Sequence, residues 1–131
     1  ESRIREGRQK QQAQIRAAQQ LAEEIAGLKQ AINRLLGDAL VNQDSISKAE
    51  SYVGRLLALD DSPDTQSLME SKLAAAYHRL AERLLREKDY TQALAVIEDG
   101  LIKSPLEPNL LATKEQIRKA QQTRRRNITS F

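Results

Sequence analysis

The sequence predicts an all-α fold, and three observations predict it. Leu, Ala and Gln number 18, 17 and 13, against 3 Val and 5 Thr. The first three lose little freedom on entering a helix, whereas strands favour β-branched and aromatic side chains. Aromatic residues make up only 3% of the chain, which argues against a β-sandwich or barrel. Between short polar breaks, the apolar residues recur at spacings of three and four, the period of a helix with one buried face. A length of 131 residues suits one domain.

The breaks divide the chain into five expected helices, at about 8–42, 45–59, 65–87, 90–103 and 107–124. In the first, Ile15, Ala18, Ala22, Ile25, Leu28, Ile32, Leu35 and Ala39 form one apolar stripe resembling a heptad seam, which Gly27 and Lys29 weaken. Its first turns, Gly7 to Gln12, are polar on every side, so residues 1–29 are expected to be a helical extension or linker. Asp44 and Ser45 are candidate N-caps for the second helix, and Pro63-Asp64-Thr65 opens the third. Lys88-Asp89 breaks the chain before the fourth, which Pro105 ends because proline lacks a backbone N–H and restricts the residue before it. Connections this short make successive helices antiparallel neighbours.

An internal repeat is visible at an offset of 44 residues. Leu36-Gly37 and Leu40 fall on Leu80-Ala81 and Leu84, Ile46 on Tyr90, Ala49 on Ala93, and Val53 on Ile97. The stretch Tyr77-x-x-Leu80-Ala81-x-x-Leu84, followed by Tyr90, Ala93, Ile97, Gly100 and Pro105, resembles the tetratricopeptide repeat, whose period is about 34 residues. In that pattern small residues let two helices approach and large ones fill the gaps around them. The resemblance implies a right-handed solenoid of about two antiparallel helix-turn-helix repeats, at 30–63 and 74–107. A polar capping helix at 108–124 would close the domain 30–124, and 125–131 would form a basic tail. The first unit departs from the pattern: Asn33 stands where a large apolar residue is usual, and ten extra residues, Asp64–Leu73, lengthen the third helix.

Several chemistries are missing their parts. There is no cysteine, hence no disulfide and no thiolate metal site; this is compatible with either the bacterial periplasm or the cytoplasm. The chain begins at Glu1 without a Met, and a piece of a larger bacterial protein is expected; membrane attachment would come only through segments outside it. His78 is the only histidine, which leaves no histidine pair for zinc, and the five glycines form no phosphate loop. Asp60, Asp61 and Asp64 lack the spacing of a calcium loop and read as helix capping. Asn127-Ile128-Thr129 matches a glycosylation acceptor, a pattern frequent by chance. No enzyme activity and no cofactor are expected.

The formal charge of +3 is distributed unevenly. Residues 1–20 carry +3, residues 21–113 carry −5 and residues 114–131 carry +5. Nucleic-acid readers cluster their basic groups on one face, so basic ends around an acidic centre leave, as the unfavoured alternative, a helical module that binds nucleic acid or an anionic surface through its Arg-rich ends, Arg124-Arg125-Arg126 among them. The favoured expectation is a non-catalytic interaction or scaffolding module that presents a helical groove to a peptide or a neighbouring domain. By resemblance, that groove is lined by the first helix of each unit: Arg34, Asp38 and Asn42, then His78, Arg79, Glu82 and Arg86, with Gln116 from the cap. The mixture would suit an acidic segment, with Arg79 and Arg86 as carboxylate forks. The family's chaperone-tail clamp uses Lys and Asn where Arg34, Asp38 and Arg79 stand, so that clamp is not expected. A monomer is favoured because the first repeat claims Ile32, Leu35, Leu36 and Leu40; pairing of two N-terminal helices is the alternative.

Overall fold

Local capping chemistry sets the boundaries of five helices: α1 (Ser2–Gly37), α2 (Gln43–Leu59), α3 (Pro63–Arg86), α4 (Tyr90–Lys103) and α5 (Pro108–Thr129). The computed structural model describes residues 2–129, and side chains from Gly7 to Arg126. The fold is all-helical, with no strand among the described residues. The Asn127-Ile128-Thr129 side chains and the last two residues of the expected tail lie outside the described set. Arg125 and Arg126 lie inside it, and they continue α5 rather than leaving it.

The first turn differs from expectation. α1 ends at Gly37, five residues early, because Asp38 folds the chain back: its carboxylate accepts from the Leu40 N–H at 2.9 Å and its carbonyl from the Val41 N–H at 3.2 Å. Asn42, not Asp44 or Ser45, is the N-cap of α2, accepting from the Ser45 N–H at 2.8 Å. Leu40 consequently sits in a turn, 71% exposed, and Val41 takes the core position. The match of Leu40 to Leu84 therefore fails in three dimensions, since Leu84 lies within α3.

Ser62 caps α3 by accepting from the Thr65 N–H at 3.3 Å, and Pro63 occupies the first helical position, where its missing N–H costs nothing. The extra residues 64–73 extend α3, as expected, and bury Thr65, Met69 and Leu73. α3 ends in a Schellman motif: the Lys88 N–H donates to the Leu85 carbonyl at 3.0 Å and the Asp89 N–H to the Leu84 carbonyl at 2.9 Å. Lys88 takes the left-handed conformation this requires, at φ 63°. Asp89 then caps α4 through the Gln92 N–H.

α1 packs on α2, and α3 on α4, as two hairpins; α3 also meets α1 and α2, and α5 lies against α3 and α4. The core runs through both hairpins, from Ile32, Leu36, Ile46 and Leu56 to Tyr77, Ala81, Ala93 and Ile97. Leu110, Thr113 and Ile117 close its α5 end. Gly100 marks the tightest approach, for a Cβ there would lie 3.1 Å from both the Tyr77 Cβ and a Leu110 methyl. α1, at 36 residues, is more than twice as long as the 17-residue α2. Residues 7–24 are exposed throughout, and burial begins at Ile25.

Candidate functional site

The outward face of α3 carries a strip of polar groups, two of which bond to α1. Ala75 is exposed and lines two depressions, one on each side of α3. The first, about 190 Å³, lies against α1 and is walled by Asn33, Gly37, Lys72 and Arg79. The second, about 150 Å³, lies against α5 and its preceding turn, walled by Ser71, His78, Glu107 and Asn109. Positions 71, 75, 78, 79, 82 and 86 fall on one side of a helix at 3.6 residues per turn, which brings these groups into one strip.

Two contacts hold α1 against that strip. Lys72 Nζ donates to Asn33 Oδ1 at 2.7 Å, and Arg79 Nη2 donates to the Leu36 carbonyl, one of those left open at the end of α1. A cation at a helix C-terminus also complements its dipole. These bonds account for the odd residue of the first unit: Asn33 supplies an acceptor to Lys72 where a large apolar side chain would supply none. On the α5 side, His78 Nε2 and Glu82 Oε1 lie 3.2 Å apart, one turn along α3.

Behind the strip, Tyr77 ties three helices together. It is 2% exposed, and its hydroxyl donates to Glu50 of α2. Lys103 of α4 pairs with the same Glu50 carboxylate, donates to the Tyr77 hydroxyl at 3.3 Å and lies 5.6 Å from the ring centre. Burial pushes the Tyr77 hydroxyl's ionisation well above its ordinary value, and the bond to Glu50 adds to the shift. The hydroxyl therefore stays a donor at neutral pH, and the α3 backbone beneath Ala75 is pinned from behind.

The expected groove residues divide into two groups. His78, Arg79, Glu82 and Arg86 share the α3 strip, as the helical spacing required. Arg34 is exposed in the last turn of α1, but Asn33 and Gly37 line the depression there. Asp38 and Asn42 are occupied in the α1–α2 turn, as its acceptor and as the α2 cap, and Asn42 is not part of α1. Gln116 is exposed on α5. Sequence reasoning missed Lys72, Ala75, Glu107 and Asn109. Lys72 and Ala75 were within reach, since Lys72 stands seven residues before Arg79 and Ala75 four before it. Glu107 and Asn109 flank the start of α5, and no periodicity places them.

Comparison with protein-family models, curated proteins and solved structures finds no match. The functional reading consequently rests on the residues and their geometry.

Proposed function

We propose that this chain is a non-catalytic interaction module, built of tetratricopeptide-like helix pairs, that presents the α3 strip between α1 and α5 to an acidic peptide segment. The single observation carrying this reading is Ala75. A small exposed side chain, flanked by a depression on either side, leaves room for a peptide to lie across α3 between its neighbours. The pairing of α1 with α2 and α3 with α4, together with the contacts of α3 to both α1 and α5, supports the stacked-repeat arrangement. Lys72, Arg79 and Arg86 supply the positive charge that carboxylates require. Arg79 is partly committed to the Leu36 carbonyl, so Arg86, exposed and aligned with Ala75 three turns on, is the cleaner probe.

Fluorescence anisotropy with a panel of short Asp/Glu-rich peptides tests the reading. Binding should weaken by about tenfold or more on Arg86→Glu and survive Arg124→Glu. The reverse pattern, with binding to DNA or heparin that falls steeply with salt, would transfer the function to the basic end of α5.

A further inference from the structure

α5 packs back along α4, so its basic end arrives beside the start of α4. A cavity of about 340 Å³ lies between them, larger than either depression beside Ala75 and sharing no wall residue with the α3 strip. Lys88, Asp89 and Tyr90 wall it on one side, and Arg124 and Arg125 on the other. Its volume falls within the range of small-molecule sites. Two of its cations come from the end of the chain and the third from the α3–α4 turn, so only the packing of α5 on α4 gathers them.

We propose that this cavity binds a phosphate monoester, held by Lys88, Arg124 and Arg125. Charge selects the ligand class. Three cations against one carboxylate leave two positive charges on the wall, and a phosphate monoester carries about −1.5 to −2 at neutral pH on three acceptor oxygens. The one carboxylate, Asp89, is engaged as the α4 cap, accepting from the Gln92 N–H at 3.3 Å. The guanidinium carbon of Arg124 lies 5.8 Å from the Tyr90 ring centre. That contact attracts the cation to the ring and limits the rotamers it would lose on binding. A guanidinium fork matches phosphate oxygens two at a time. Lys88 stands at φ 63°, where glycine costs less, and its side chain takes no part in the bonds that end α3. What the side chain does contribute is positive charge on the cavity wall. Thr91 adds a hydroxyl that can donate to the same oxygens.

Amide chemical-shift titration of the whole isotope-labelled chain tests the proposal, with adenosine monophosphate and a short phosphoserine peptide as probes. Salt at about 0.15 M screens diffuse attraction to the exposed basic residues. At least one probe should give saturable shifts at residues 88–91 and 121–125. The same peptide with glutamate for phosphoserine should bind about tenfold or more weakly, and Arg124→Gln should weaken phosphate-ester binding to a similar degree. Lys88→Gly should weaken binding several-fold although the fold itself gains stability, so that loss cannot come from unfolding. Arg16→Gln, which removes an exposed charge from α1, should change the affinity by less than about twofold. Tighter binding of the peptide would assign the ester to a phosphorylated side chain, and tighter binding of the nucleotide to a small phosphorylated molecule; either supports the site. Absence of saturable shifts with both probes, equal binding of the glutamate peptide, or an affinity indifferent to Arg124→Gln would overturn it.

Discussion

Lys88 is held at φ 63°, where a Cβ crowds the following carbonyl and costs roughly 1–2 kcal/mol that glycine avoids. The Schellman bonds that require this conformation use only backbone atoms, so the Lys88 side chain contributes nothing to them. Lys88→Gly should therefore raise stability, by about 0.5–1 kcal/mol after the added freedom of the unfolded chain is counted, as measured by urea denaturation. Asp60 makes a different prediction. Its carboxylate accepts from the Thr65 hydroxyl at 2.9 Å and the Ser62 N–H at 3.3 Å, and these bonds, the Thr65 one foremost, hold its ionisation below the ordinary 3.8. A depressed acid stabilises the fold fully above its unfolded value, and that contribution is lost as pH falls through 3.8 toward the folded value. Thermal melts of Asp60→Asn should accordingly show a shallower loss of stability below pH 4 than the parent chain; an identical slope would remove Asp60 from the acid response.

At the scale of helices, close approach is concentrated where α3, α4 and α5 meet. Gly100 has Tyr77 and Leu110 within 3.1 Å of where its Cβ would stand, whereas Gly54, exposed in α2, has nothing within 4 Å. Gly100→Leu should destabilise the protein by roughly 1–3 kcal/mol through overpacking. Gly54→Ala should stabilise it by about 0.5–1 kcal/mol through helix propensity. Equal effects at both sites would mean that the α3–α4–α5 junction is looser than described. The second hairpin was legible in the sequence because its small and large residues sit at helical intervals: Ala81, Ala93 and Ile97 are all fully buried. The first was less so. Its turn is decided by Asp38 and Asn42 accepting from backbone N–H groups two and three residues on, local bonds that compete with the helix and interrupt the period.

For the whole molecule, polar contacts between helices were the part that pattern could not reveal. Lys72 with Asn33 and Arg79 with the Leu36 carbonyl join groups about forty residues apart in sequence, and only the packing of α1 against α3 brings them together. His78, Arg79, Glu82 and Arg86 were legible as one face because they share a helix; Glu107 and Asn109 were not, because one precedes α5 and the other stands in its first turn, away from α3 in sequence. The proposed groove depends on that packing, with Ala75 as its floor and Tyr77, Glu50 and Lys103 behind it. The most direct test is amide chemical-shift mapping as an Asp/Glu-rich peptide is titrated into the isotope-labelled chain. The account predicts saturable shifts centred on Ser71, Ala75, His78, Glu82 and Arg86, with smaller ones at Asn33 and Asn109. Shifts confined to residues 121–126, or to residues 7–24 of α1, with the α3 strip unmoved, would contradict it.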